Sequence, residues 1–216
     1  MRITVFGATG MAGSAIVTEA LSRGHEVTAL SRCPMETLGQ ERLTAFAVDV
    51  TGPLDIGPLL IDVDVAVLTV RLPPGEESEL APVTRRVLDA AARHGVRVFV
   101  VGGSAPLRSP TSPDRFVIDD PAYVPEAWTT IAEASLDQFH VCERHSEAQW
   151  TYLSPPAVLE PGARTGRYRR GRTTLLVDAD GHSRITVPDL ATALVDEIEH
   201  PSGERHFTVA GAPDAR

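Results

Sequence analysis

Seven residues near the start of the chain, Gly7-Ala8-Thr9-Gly10-Met11-Ala12-Gly13, constrain the fold more than any other stretch. They follow a short apolar, β-branched run at residues 2–6 (RITVF), as expected of a strand buried on both faces. Residues 14–23 then carry a helical pattern that Gly24 closes, and residues 25–30 (HEVTAL) supply a second strand. Strand, glycine turn, helix and strand make a βαβ unit. Residues without a Cβ let the turn bend sharply, let a pyrophosphate approach the backbone, and let the helix pack close to the strand. The free amides and positive end of the helix then face the phosphates. Gly7, Thr9, Gly10, Met11 and Gly13 are therefore predicted to hold a nucleotide, the alternative being a purely structural turn. The spacing is GxxGxxG, one residue wider than GxGxxG, so the flanking strand and helix carry the prediction as much as the glycines do.

A chain of 216 residues with 43% hydrophobic content predicts one domain, residues 1–216, with a sizeable core. No stretch approaches the ~20 uninterrupted apolar residues that cross a bilayer, so no membrane partner is expected. The chain enters its first strand at once, which predicts no signal peptide. Cys33 and Cys142 are too few for a disulfide framework, so a reduced, cytoplasmic protein is expected. A net charge of −9 argues against a nucleic-acid partner, which needs a basic face. The basic residues number 20, and every one is arginine. Lacking lysine, the chain has no amine for a Schiff base or for lowering a neighbouring pKa.

Beyond GATGMAG and EALSRGHEVTALSR, the chain contains VFVVGGSA at 98–105, WTYLSPPAVLEPGARTGRYR at 150–169 and RITVPDLATALVDEIE at 184–199. Together these resemble the atypical short-chain dehydrogenase/reductase family, with its NAD(P)H-binding, NmrA-like and flavin-reductase-like members. The resemblance implies an α/β fold, a Rossmann-like doubly wound parallel sheet, with a small C-terminal substrate-side region drawn mainly from residues 105–124 and 154–187. It also implies a nicotinamide cofactor. The Tyr-x-x-x-Lys pair of the classical members is excluded by the missing lysine.

Ser31-Arg32 ends the second strand, where NAD-preferring proteins place a carboxylate for the ribose 2′-hydroxyl. An arginine there suits a 2′-phosphate by charge and by its fork of donors, which predicts NADP(H) over NAD(H). A solvated strand-end arginine is the alternative. The resemblance places Asp49 at the adenine amino group and Val50 and Val70 along the cofactor groove. It also puts Gly102 and Ser104 at the nicotinamide after the fifth strand, and Pro155 and Pro156 along the ring. A serine hydroxyl donates and accepts, so Ser104 is a candidate to polarise a substrate carbonyl, with turn capping as the alternative.

Residues 105–124 are expected to form an irregular covering loop, with Tyr123 as a candidate proton donor. A helix is predicted from residue 126 to about 144, with Ile131, Ala134, Leu136, Phe139 and Val141 inward. His140 on it is a candidate acid, as is His145. Cys142 and His145 have the spacing of a metal-ligand pair, but no second pair exists, so no metal is expected. Five arginines within residues 164–172 make a basic patch suited to steering anions, or a solvated loop. Residues 174–177 and 182–186 are expected to pair about Ala179-Asp180-Gly181. Thr186 and Asp189 read as a reciprocal helix cap.

The expected activity is NADPH-dependent hydride transfer to a small carbonyl, imine, quinone or flavin-like acceptor, by a monomer or homodimer. An NmrA-like NADP(H) sensor without turnover is the first alternative. An epimerase or isomerase using the nicotinamide transiently is the second.

Overall fold

The computed structural model describes residues 1–37 and 39–212. Eight strands form the main sheet: β1 (Arg2–Phe6), β2 (Glu26–Ser31), β3 (Leu43–Ala47), β4 (Val65–Leu68), β5 (Arg97–Val101), β6 (Trp150–Ser154), β8 (Tyr168–Gly171) and β10 (His206–Gly211). Their order is β3-β2-β1-β4-β5-β6-β10-β8. All neighbours run parallel except β8, which lies antiparallel on β10. The chain steps outward from β1 to β3, then returns to the other side of β1 at β4. That reversal opens a crevice beyond the carboxyl ends of β1 and β4, where such sheets bind ligands.

Helices α1 (Met11–Ser22) and α4 (Val187–Glu199) cover one face, and α2 (Leu80–His94) and α3 (Thr129–Arg144) the other. Alternate residues of β1 therefore enter different cores: Ile3 and Val5 meet Ile16, Leu190 and Leu194, while Phe6 meets Leu60 and Leu88. Burial on both faces explains why the strands read as continuous apolar runs. The crossover from β3 to β4 is thin, holding only the 3₁₀ turn Gly57–Leu60.

Three local expectations need correction. Arg184–Thr186 (β9) pairs in parallel with β7 (Val158–Glu160), not with residues 174–177. Arg108 takes that segment instead, its amide bonding Thr173 O and its carbonyl Leu175 N, which lets Leu175 bury against Leu107 and Val117. The arginine-rich stretch runs into and past the edge strand β8, and three of its five arginines are ion-paired. Arg170 reaches Glu197 and Glu204, Arg172 reaches Glu204, and Arg164 grips Glu19 with two 2.7 Å bonds. Finally, Thr186 Oγ1 does cap the Asp189 amide, but the Asp189 carboxylate turns to the amides of Thr165 and Gly166, each at 2.8 Å. Its partner is a loop, so the cap is not reciprocal.

The α1–α4 contact is bound by charge as well as packing. Arg23 sits 2.7 Å from Asp196, Glu199 and Glu19, and Tyr168 Oη donates to Asp196 at 2.7 Å. Desolvation works against the guanidinium charge, yet the carboxylates outweigh it and raise its pKa. Removing this cation strands partly buried acids, so Arg23→Leu is expected to lower stability by about 3 kcal/mol. Urea unfolding measures it; an unchanged midpoint would show the network dispensable.

Candidate functional site

The glycine turn seats α1 over the crevice through backbone contact alone. Gly7 has φ +85°, a conformation L side chains rarely adopt, and a Cβ there would lie 2.6 Å from Thr69 O. A Cβ on Gly13 would lie 2.1 Å from Gly7 O. The amides of Gly7 and Ala8 bond Leu30 O, and the α1 ladder begins with Ser14 N on Gly10 O at 2.9 Å. The amides of Met11, Ala12 and Gly13 precede that ladder. No side chain caps this end, and its first turn holds no acid. With Thr9, Gly10 and Met11 exposed, the positive end of the helix is presented without an internal counter-charge.

On the β2 side, Arg32 is exposed while Ser31 is buried, its hydroxyl donating to Cys33 O at 2.7 Å. Asp49 Oδ1 accepts from Thr51 Oγ1 at 2.7 Å and Thr51 N at 3.0 Å. Those bonds, with a smaller contribution from the Arg32 charge, hold its carboxyl below the usual range. Val50 packs into the core, and Val70 is half-buried beyond β4.

Beyond β5, Gly102 N bonds Leu153 O, and Ser104 begins a turn closed by Leu107 N at 2.9 Å. Ser104 is half-buried on the same strand edge as the glycine turn. Residues 105–124 are irregular apart from the 3₁₀ turn Val117–Asp119, and they are anchored. Leu107, Val117 and Leu175 form a small core there, and Asp120 accepts from Ser109 Oγ at 2.7 Å. Tyr123 packs against that core, where burial and the Asp120 charge raise its pKa, so the phenol keeps its proton.

The two candidate histidines stand on α3 and at its end. His140 is eleven residues beyond Thr129, about 16 Å along the α3 axis, on the face opposite Ser135, Gln138 and Cys142. Nε2 of His145 meets Asp89 at 3.0 Å, and its Nδ1 accepts from Ala148 N, tying α2 to the start of β6. With both ring nitrogens engaged, His145 does not pair with Cys142, whose thiol burial pushes up to about 12.

Pro155 and Pro156 are buried at the end of β6, next to a contact that no sequence motif announces. Ser154 Oγ meets His206 Nε2 at 2.9 Å, bringing together residues 52 positions apart. Burial lowers the His206 pKa to about 4. The α3 face against β6 is also more polar than expected. Ser135 and Gln138 are buried on it, whereas Ile131 is 36% exposed. A surface cavity of about 500 Å³ lies beside α1 between Met11, Ala15, Pro161 and Pro188. A smaller one (about 220 Å³) opens at the opposite strand edge near Thr4, Thr28 and Thr44.

Residues 7–201 match the profile of the NAD(P)H-binding family. The chain belongs to this family. It is 33% identical over 215 residues to the Bacillus subtilis (strain 168) protein YwnB, covering 97% of this chain and 98% of that one. A Bacteroides thetaiotaomicron structure, provisionally named an epimerase, superposes with TM-score 0.89 at 32% identity, covering 100% and 99% of the two chains. A Streptococcus pneumoniae TIGR4 structure, provisionally named an NADH-flavin reductase, gives 0.88 at 27%, covering 98% and 100%. Such a family and fold imply a small-molecule nucleotide ligand. Among the described residues, no helix is long and apolar enough to cross a membrane.

His206 supplies a pH signature of the fold. The unfolded ring titrates near 6.5 and the folded one near 4, so between these values only the unfolded chain takes up the proton. Its contribution is complete above pH 6.5 and lost as pH falls toward 4, by at most about 3 kcal/mol. His206→Asn has nothing to protonate there. Denaturant titrations at pH 7.5 and 4.5 should show a smaller acid loss for this variant than for the native protein; equal losses reject the assignment.

Proposed function

We propose that the protein is an NADPH-dependent oxidoreductase passing hydride to a small carbonyl, imine, quinone or flavin-like acceptor. One domain, residues 1–216, would carry the activity in the cytoplasm, as a monomer or homodimer. The observation that carries this is the uncapped, acid-free start of α1, held over the β1–β4 crevice by Gly7 and Gly13. Gly7 and Gly10, their own amides bonded within the turn, shape the cradle, and the amides of Thr9, Met11 and Gly13 hold the pyrophosphate. Arg32 takes the 2′-phosphate, with Ser31 beside it, and Asp49 takes the adenine amino group. Val50, Val70, Gly102, Pro155 and Pro156 shape the groove and keep water from the ring. When bound, the reduced nicotinamide supplies the hydride, and the protein supplies proximity and orientation. Ser104 holds the acceptor carbonyl or ring nitrogen by its hydroxyl. The proton comes from Tyr123, from His140, or from water held at Ser104.

Support for hydride transfer comes from the family and from the name of the S. pneumoniae relative. That name contains NADH, so the preference for NADPH rests on Arg32. The missing lysine favours flavin-like or quinone acceptors, whose reduction asks little acid catalysis of the protein. It favours a second reading as well, an NADP(H) sensor that binds without turnover. An epimerase, as the B. thetaiotaomicron relative is named, is disfavoured because the tyrosine–lysine pair is absent.

Calorimetry with NADPH and NADH, followed by NADPH oxidation with flavins, quinones and carbonyls, separates these readings. Arg32→Ala is expected to weaken NADPH binding about tenfold, a loss of about 1.4 kcal/mol, and to leave NADH nearly unchanged. Equal weakening of both would remove Arg32 from cofactor choice. Tight NADPH binding without turnover of any acceptor would establish the sensor.

A further inference from the structure

Tyr152 is fully buried in the middle of β6, and nothing above uses its hydroxyl. Tyr152 Oη lies 3.1 Å from Ser135 O, 3.3 Å from Gln138 Oε1 and 3.4 Å from Ser135 Oγ, and accepts from Gly103 N at 3.4 Å. Gln138 Nε2 in turn donates to Thr84 Oγ1 at 3.1 Å, and Thr84 donates to Leu80 O at 2.8 Å. A buried polar chain thus runs from the start of α2, through α3, to the backbone just after β5. Ser135, Gln138 and Thr84 are 6%, 1% and 0% exposed. Burial raises the Tyr152 pKa, so the group stays a neutral phenol.

The two glycines of GGSA are fitted to this chain. A Cβ on Gly102 would lie 1.8 Å from Tyr152 Oη, and one on Gly103 would lie 2.5 Å from Ser135 Oγ. These two positions lack side chains because a phenol and a hydroxyl fill the space. Phenylalanine would supply the same apolar bulk without a hydroxyl to desolvate, so the buried oxygen has to be used. Gly102 N is taken by Leu153 O across the sheet, whereas Gly103 N leaves the ladder and turns inward to the phenol. The next residue is Ser104. The phenol therefore sets the orientation of the Gly102–Gly103 peptide, the one from which the chain turns into Ser104.

We propose that Tyr152 is a positioning residue for Ser104: its hydroxyl anchors the Gly103 amide and thereby aims the Ser104 hydroxyl at the acceptor. This rests on the reductase reading. Without the phenol oxygen the Gly103 amide loses its buried partner, and the turn relaxes toward another one. Tyr152 touches neither cofactor nor acceptor, so its effect appears in kcat and not in NADPH affinity.

The test is a cycle of Tyr152→Phe, Ser104→Ala and the double variant, with NADPH and the best wild-type quinone or flavin acceptor. Tyr152→Phe keeps the ring and its edge contact with Phe139 at 5.0 Å. Expected are an about tenfold fall in kcat, an unchanged NADPH Kd, and no further fall when Tyr152→Phe is added to Ser104→Ala. Thr84→Val, at the far end of the chain, perturbs the same core but should keep kcat within about twofold. Amide hydrogen exchange at Gly103 in the native protein reads the contact without a variant, and slow exchange is expected. Native kcat in Tyr152→Phe, multiplying effects in the double variant, or loop-rate exchange at Gly103 overturns the inference alone. A wild-type protein that turns over no acceptor overturns the reductase reading, and this inference with it.

Discussion

The whole arrangement depends on a few backbone atoms in contact with one another. Gly7 folds back under the start of α1, against Thr69 just past β4 and against Gly13 in the first turn of α1. No side chain larger than hydrogen fits at either glycine. Because the contact is backbone on backbone, it fixes the helix start rigidly over the point where the strand order reverses. A looser contact would leave free amides somewhere on the surface; this one aims them into the crevice.

The two helices on that face show how the chain treats such ends differently. At α4 the threonine side chain caps, and the Asp189 carboxylate binds a loop, so the positive end is occupied internally. At α1 there is no cap and no acid. Yet both helices are locked together at their other ends, where Arg23 gathers Glu19, Asp196 and Glu199. Negative charge is concentrated at the end of the α1–α4 pair away from the glycine turn. A cofactor phosphate is the kind of group that the remaining bare end attracts.

On the opposite face the core is apolar except where a polar chain runs from Thr84 of α2 through α3 to β5 and β6. Tyr152, Ser135, Gln138 and Thr84 satisfy one another, and Ser154 satisfies His206. Both groups lie just beneath the strand ends that carry Ser104 and Pro155. Buried polar networks of this kind specify one arrangement, because each alternative leaves a desolvated donor or acceptor. A site that must hold a flat acceptor at a fixed distance from a flat cofactor benefits from that rigidity.

What the amino-acid sequence determined by itself was whatever depends on near neighbours. Apolar runs marked the strands, Gly24 and Gly95 closed their helices, and the spacing of Gly7, Gly10 and Gly13 marked the turn, because each is decided within a few residues. The missing lysine was equally plain. Tertiary structure alone decided which polar groups meet. Ser135 and Gln138 read as polar positions of α3 until Tyr152 comes within reach, and Arg170 and Arg172 read as part of a basic patch until Glu197 and Glu204 come beside them. Such pairings join positions 14 to 145 residues apart, and their energy exists only once the sheet has set those strands side by side.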